Sequence, residues 1–233
     1  MSTAIKPSRR VSGLYSVDHL PESDGKPMGE TPKHVMLIID ALNALQNHFR
    51  GDPRIYIIGN VFVYFLNELG TLNRVAPDIF VVRGVSREER RVYAVEKEGK
   101  APEFVIEFTS KKTKKTDLNK NREMYAWLGV KEYFLFDPFG EYLEPRLIGF
   151  KLLRGKYERM APRHSRLLSK VLDLELAAEG DDLRFYDARS GERLLTHIES
   201  EVVREQETAA RRAAEAENVR LREELERLQK GRS

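Results

Sequence analysis

The chain has 233 residues, of which 41% are hydrophobic, enough for one sizeable core and an appended segment. It contains no cysteine, which excludes disulfides, thiolate zinc sites, iron–sulfur clusters and cysteine nucleophiles, and favours hard cations such as magnesium or manganese in any metal site. The formal net charge of +3 permits a polyanionic partner without requiring one, because 40 basic residues nearly balance 37 acidic ones.

The sequence has no strong membrane or export signal. No apolar run approaches the roughly 20 residues that a membrane-spanning helix needs. The first ten residues carry no apolar core like that of a signal peptide. We therefore expect a cytoplasmic protein without a membrane partner.

The N-terminal region changes character near residue 31. Residues 1–30 are rich in proline, serine, glycine and charge, which predicts a loosely held arm. A helix should begin with Thr31 as N-cap and Pro32 as first residue, because apolar residues then recur at helical spacing as far as Phe49.

Two blocks of branched and aromatic residues follow the helix. RIYIIGNVFVYFLNELG and VAPDIFVV should pair as strands, with a polar turn around Asn73 between them. Residues 84–100 are charged and irregular, which is typical of an excursion containing a short helix. The segment EFVIEFTS is predicted to be the next strand.

The following segments predict a crossover between parallel strands. A helix is expected over 117–128, with Gly129 directly after it, and KEYFLFD is predicted to be another strand. Asp117 is expected to be the N-cap of this helix; the alternative is that it holds a lysine of the site. This order indicates an α/β protein with a mixed β-sheet flanked by helices. Later β-rich segments should extend the sheet or form a second layer.

A long C-terminal helix is predicted from residue 199, where alanine, glutamate, arginine and leucine dominate. Three leucines keep coiled-coil spacing near its end, whereas two charged residues interrupt that spacing upstream. They are Leu221, Leu225 and Leu228, interrupted at Glu207 and Arg211. A coiled coil that forms a homodimer and a solvated single helix are therefore both open. The predicted organisation is an arm over 1–30, a domain over 31–198 and a charged helix over 199–233.

Two acidic residues lie in or beside strands that we expect to be neighbours. Asp78 follows Pro77 at the start of one strand, and Glu107 lies inside the apolar stretch EFVIEF. Carboxylates that face the same side of a sheet could hold a divalent cation, which would offset the cost of burying their charge. Bound magnesium can polarise a phosphodiester and generate a hydroxide nucleophile. The plainer alternative is a turn cap at Asp78 and a solvent-facing Glu107.

A basic run follows Glu107 directly. If it flanks the carboxylates, it would bind the phosphates of a nucleic acid without sequence preference; a solvated loop is the alternative. The run consists of Lys111, Lys112, Lys114, Lys115, Lys120 and Arg122. The sequence contains no motif that reads bases, so no sequence specificity is predicted.

The order of these motifs resembles one known family. PD, then GKAPEFVIEFTS, a basic stretch with TDL, and MYAWLGVKEYFLFDP are similar to the Uma-two family of predicted endonucleases, a branch of the PD-(D/E)XK restriction-endonuclease-like superfamily. The similarity extends from LPESDGKPMGETPKH to LRFYDARSGERLLT. It implies a restriction-endonuclease-like fold, Mg²⁺ or Mn²⁺ as cofactor, and DNA as substrate. It assigns Asp78 and Glu107 as metal ligands, with Glu30 either an accessory ligand or a residue that serves the start of the first helix.

The chain departs from the family pattern at the lysine. The superfamily places a lysine two residues after the second acid, where this chain has Thr109, and the family places it on the next helix, where this chain has Asn121. Lys120 or Lys111 would have to act instead as the cationic partner. The expected function is a metal-dependent endonuclease that hydrolyses DNA. The alternative is a catalytically impaired member that acts as a nucleic-acid-binding or oligomeric interaction module.

Overall fold

The computed structural model describes residues 16–23, 31–67, 69–110, 113 and 116–230. Its chain divides into two compact units, residues 1–194 and residues 195–233. The described strands all lie in the first unit. The long C-terminal helix forms the described part of the second unit.

The first helix confirms the prediction made from its cap. Helix α1 spans Pro32–His48, and the side-chain oxygen of Thr31 accepts a hydrogen bond from the backbone N–H of His34 at 3.3 Å. Such a cap satisfies one of the N–H groups that a helix start leaves without an intrahelical partner. The buried face of α1 includes Ile38, Ala41 and Leu45, which pack into the core.

The strands form three sheets. In chain order the strands are β1 (Ile55–Ile58), β2 (Val63–Leu66), β3 (Leu72–Val75), β4 (Ile79–Arg83), β5 (Tyr93–Ala94), β6 (Phe104–Phe108), β7 (Glu132–Phe136), β8 (Leu147–Leu153), β9 (Lys156–Arg159), β10 (Leu167–Ser169), β11 (Leu174–Glu179) and β12 (Asp182–Asp187). The central sheet has the order β1-β4-β6-β7-β8-β9, and the smaller sheets have the orders β3-β2-β5 and β10-β11-β12. Helix α2 is short and spans Val95–Glu98.

The crossover between β6 and β7 confirms the predicted mixed sheet. These two strands are parallel, whereas the other neighbours in the central sheet are antiparallel. The connection contains a π-helical segment, Thr116–Asn121, followed by helix α3, Arg122–Leu128. Gly129 ends α3 in the left-handed conformation at φ 79°, as expected of a helix stop.

The first β-rich block is two strands rather than one. Strand β1 pairs with β4 as predicted, but β2 leaves for another sheet. Asn73, which we expected in a turn, lies in β3 opposite Phe65. The reversal occurs earlier because the side-chain oxygen of Asn67 accepts the N–H groups of Leu69 and Thr71, which closes a tight turn before β3.

Both faces of the central sheet are covered. One face packs against α1 and the sheet of β10, β11 and β12, and includes Ile79, Ile106 and Phe108. The other face packs against α3 and the sheet of β3, β2 and β5, and includes Phe80 and Val105. This alternation follows from the period of two along a strand, and it fixes the face on which each later side chain of β4 and β6 lies.

The C-terminal helix, α4, spans His197–Lys230. Thr196 and Glu199 form a reciprocal cap at its start: the N–H of Thr196 donates to the carboxylate of Glu199 at 2.9 Å, and the N–H of Glu199 donates to the hydroxyl of Thr196 at 3.3 Å. Most described side chains along α4 are exposed. Across the described ranges of the chain, no helix combines the length and apolarity needed to cross a bilayer.

Candidate functional site

Asp78 and Glu107 lie opposite each other on neighbouring strands. Ile79 of β4 pairs with Ile106 of β6, and one further step of the same register places Asp78 opposite Glu107 on the same face. The backbone N–H of Asp78 donates to Oε2 of Glu107 at 3.1 Å, and the N–H of Phe108 donates to Oδ2 of Asp78 at 2.6 Å. Each carboxylate is therefore held by the backbone of the other strand.

Tyr125 completes the hydrogen bonding of Glu107 from above the sheet. It projects from α3, and its hydroxyl donates to Oε1 of Glu107 at 2.6 Å. The exposed fraction is 1% for Tyr125 and 6% for Glu107, so water has little access to this bond. Both oxygens of Glu107 accept a hydrogen bond, which fixes the orientation of its carboxylate. This contact was not predicted from the sequence, although Tyr125 lies on the predicted helix.

The surroundings of Glu107 disfavour its negative charge. Burial raises the pKa of Glu107 well above its ordinary value, and the negative charges of Asp78 and Asp117 raise it further. The hydrogen bonds from Tyr125 and from the Asp78 backbone act in the opposite direction but are smaller. Burial and the charge of Glu107 also raise the pKa of Tyr125, so its hydroxyl stays a donor at neutral pH. A proton or a cation is therefore favoured beside Glu107.

Asp117 is a buried carboxylate, and the prediction that it caps a helix is wrong. It lies within the π-helical segment, and its exposed fraction is 4%. Its carboxylate accepts hydrogen bonds from the side chains of Asn121, at 3.1 Å, and Thr113, while its carbonyl oxygen accepts one from the hydroxyl of Tyr133 at 3.1 Å. Burial raises the pKa of Asp117 to about 6. An aspartate four residues before an asparagine is the sequence signal for this pair.

The other predicted site residues do not contact the two carboxylates in the described part of the chain. Lys120 is exposed on the π-helical segment, whereas the neighbouring Asn121 faces Asp117. The guanidinium of Arg122 lies over the ring of Phe150, 5.4 Å from its centroid. Several predicted residues lie outside the described part of the chain: Lys111, Lys112, Lys114, Lys115 and Glu30.

Thr109 lies just beyond the end of β6. Its backbone N–H donates to the carbonyl of Phe136 at 2.7 Å, so the pairing with β7 continues through this residue. Its exposed fraction is 0%, and its hydroxyl has no hydrogen-bond partner in the described part of the chain. A buried hydroxyl without a protein partner is uncommon and calls for a physical reason.

The donor atoms of this site fit a hard divalent cation. The two facing carboxylates offer oxygen ligands, and magnesium in proteins is commonly held by one or two carboxylates together with water and phosphate oxygens. A cation would also offset the repulsion that raises the pKa of Glu107. Within the described residues, no group of three or more acidic, histidine or cysteine side chains is arranged to hold a metal. A bound ion would therefore need further oxygens from water, backbone or substrate.

Comparison with known proteins places the chain in a family. A family model described as "Uma2: Putative restriction endonuclease" matches residues 23–184, more than half of the chain. A crystal structure described as "a putative nuclease belonging to DUF820", from Anabaena variabilis, is similar over 68% of this chain and 90% of that chain, at 18% identity and a TM-score of 0.49. Curated proteins gave no significant match. The chain belongs to the Uma2 family of restriction-endonuclease-like proteins.

Proposed function

We propose that this protein is a metal-dependent endonuclease that hydrolyses phosphodiester bonds of DNA. The observation that carries the proposal is the pair of carboxylates, Asp78 and Glu107, held on one face of the central sheet by reciprocal hydrogen bonds to backbone N–H groups. Membership of a restriction-endonuclease family supports a nuclease with DNA as its substrate. The metal, Mg²⁺ or Mn²⁺, is inferred from the oxygen donors and from the cost of two unneutralised charges at this position.

Each residue of the site has a role in this proposal. Asp78 and Glu107 would hold the cation, which would polarise the phosphodiester and lower the pKa of water. Tyr125 keeps Glu107 in one orientation and, as a donor, favours its ionised form. The backbone N–H of Phe108 does the same for Asp78. Preorganised ligands lose less conformational freedom when the ion and the phosphate bind.

DNA binding is proposed from the basic run that follows Glu107. Lys120 is exposed at the surface of the π-helical segment that leads into α3, the helix that carries Tyr125. Its charge would attract phosphates near the site and contribute a non-specific, salt-dependent part of the affinity. We therefore expect DNA affinity to fall steeply as the salt concentration rises.

Plasmid cleavage tests the proposal. Supercoiled plasmid would be incubated with the purified protein and Mg²⁺ or Mn²⁺, beside Asp78→Ala and Glu107→Gln variants. The exposed Glu141→Gln variant serves as a matched control for loss of a carboxylate. We expect the wild type and the control to cleave the plasmid. Both site variants should lose at least about a hundredfold in cleavage rate, as is typical when one key catalytic interaction is removed. Equal and negligible cleavage by all four proteins would reject the nuclease proposal.

A second candidate function is a nucleic-acid-binding module without catalysis. The observation that favours it is Asn121, which stands at the family's lysine position and donates its amide to Asp117 instead of supplying a positive charge. This candidate predicts salt-sensitive retention of DNA that survives Glu107→Ala, with no cleavage. If the wild type does not retain DNA even at low salt, this candidate function is excluded.

We also propose that α4 mediates a homodimer. Its 34 residues carry exposed apolar side chains at Val202, Val219 and Leu221. A second copy would cover Leu221 in a coiled coil, where it takes a core position, whereas Val202 and Val219 lie outside that register. Sedimentation equilibrium of the full chain should show a concentration-dependent dimer that Leu221→Glu disrupts and the exposed Glu223→Gln leaves intact. Monomers at every concentration would contradict the proposal.

A further inference from the structure

Thr109 has a buried hydroxyl that no described residue satisfies. Its Oγ1 atom has no hydrogen-bond partner among the described residues, and the side chain has an exposed fraction of 0%. Ser169 is a useful contrast within the same unit: its buried hydroxyl bonds the carboxylate of Glu132 and accepts the N–H of Leu172 at 3.1 Å. Burying a hydroxyl without a hydrogen-bond partner lowers the stability of the folded protein. A bound ligand that supplies the missing hydrogen bond would remove this cost.

The hydroxyl lies on the same side of the sheet as the carboxylate pair. Side chains alternate along β6, so Phe108 points into the opposite core while Glu107 and Thr109 share a face. The pairing of the Thr109 N–H with Phe136 keeps the strand extended through this position. Two residues of an extended strand span about 7 Å, which is about the reach from a carboxylate oxygen through a cation and one of its oxygen ligands to a hydroxyl.

We propose that Thr109 is a positioning residue whose hydroxyl hydrogen-bonds an oxygen atom, of water or of phosphate, in the cation site of Asp78 and Glu107. The proposal rests on the proposed function and assigns one more contact in the same site. A threonine hydroxyl suits this role because it can donate and accept, and therefore adapts to either oxygen. It adds no charge, so it orients a ligand without neutralising it.

The test compares thermal unfolding with and without Mn²⁺ in matched variants. Thr109→Val keeps the branched shape and removes only the hydroxyl, whereas Thr109→Ser keeps the hydroxyl. Without metal, we expect Thr109→Val to be at least as stable as the wild type, because it removes an unsatisfied polar group. The Mn²⁺ affinity derived from the concentration dependence of Tm should fall about two- to tenfold, the value of one hydrogen bond. Thr109→Ser should keep the wild-type Mn²⁺ affinity.

Two controls separate this role from general damage. Ser169→Ala removes a satisfied buried hydroxyl, and should lower Tm by the same amount with and without Mn²⁺. Glu107→Gln should abolish the Mn²⁺ effect altogether. Titrations with Mn²⁺ alone, and with Mn²⁺ and inorganic phosphate, distinguish the two sources. A defect of Thr109→Val with Mn²⁺ alone identifies water as the partner, and a defect only with phosphate identifies phosphate.

Two results would overturn the proposal and leave the cation site standing. One is a metal-free Thr109→Val variant that is less stable than the wild type, because the hydroxyl would then have a protein partner. The other is an unchanged Mn²⁺ affinity in Thr109→Val, with and without phosphate, beside a complete loss in Glu107→Gln. If Mn²⁺ does not stabilise even the wild type, the cation proposal itself fails and the role of Thr109 falls with it.

Discussion

Replacing Asp117 with asparagine should stabilise the folded protein above about pH 6 and leave it unchanged near pH 4. Asp117 is almost fully buried, and burial raises its pKa from 3.8 to about 6. Asparagine has nearly the same shape and can keep the hydrogen bond from Asn121, which at 3.1 Å reaches Oδ1. The substitution therefore removes the charge while it preserves the packing.

The size of the effect follows from linkage. The folded pKa of Asp117 is higher than the unfolded one, so the folded state binds the proton more tightly and stability is lost as the pH rises from 3.8 to about 6. That difference corresponds to roughly 3 kcal/mol at pH 8, since one pKa unit is about 1.4 kcal/mol. Asp117→Asn should recover up to this amount. The negative charge of Asp117 also raises the pKa of Glu107. Asp117→Asn should therefore lower the pKa of Glu107 and ease its ionisation.

Unfolding in urea, from pH 4 to pH 8, measures the prediction. The difference in the free energy of unfolding between Asp117→Asn and the wild type should be near zero at pH 4, grow through pH 6 and level off above it. The exposed Glu141→Gln variant should show no comparable gain. A less stable Asp117→Asn at pH 8, or a difference that grows as the pH falls, would refute the reasoning about the buried charge.

Three further substitutions probe the site. Tyr125→Phe removes the hydroxyl that donates to Glu107 at 2.6 Å, and should weaken Mn²⁺ binding about tenfold in isothermal titration, as the loss of a partner of a ligating group typically does. Gly59→Ala would place a Cβ atom 2.2 Å from the carbonyl oxygen of Asp78, and should lower the free energy of unfolding by roughly 1–3 kcal/mol and displace the carboxylate. Asn121→Lys should increase the rate of plasmid cleavage, because it supplies a positive charge beside Asp117, whose own charge acts on Glu107.

Each of these has a matched comparison. Tyr157→Phe removes a hydroxyl that is bonded to the carbonyl of Val130 rather than to a carboxylate, and should leave Mn²⁺ binding unchanged. Gly51→Ala meets no atom within 4 Å and should be tolerated. Asn121→Gln adds length without charge and should not raise the cleavage rate. Reversal of any of these orders would contradict the role given to the corresponding residue.

The sequence predicted the parts of the fold that depend on local chemistry. Thr31 and Pro32 define the start of α1, and Gly129 ends α3, because helix caps and left-handed helix ends depend on the identity of single residues. The paired acids could be predicted because Asp78 directly precedes one apolar strand and Glu107 lies inside another. Because β4 and β6 are neighbours in the sheet, their register places Asp78 opposite Glu107.

The features that escaped prediction depend on contacts across the fold. The π-helical turn at Thr116–Asn121 buries Asp117, and a shift of one residue in helical hydrogen bonding leaves no clear trace in the spacing of apolar residues. Asn67 closes the turn before β3 through its side chain, which moved the reversal away from Asn73. The unsatisfied hydroxyl of Thr109 is visible only when all of its surroundings are known.

Anomalous diffraction from crystals soaked in Mn²⁺ tests the central claim most directly. The proposal predicts a manganese peak between Asp78 and Glu107, about 2.0–2.3 Å from an oxygen of each carboxylate, comparable with hard-cation distances in proteins. The peak should disappear in crystals of Glu107→Gln grown and soaked in the same way. An absent peak in the wild type, or an equal peak in the variant, at a Mn²⁺ concentration that supports DNA cleavage, would contradict the assignment of these carboxylates as the metal ligands.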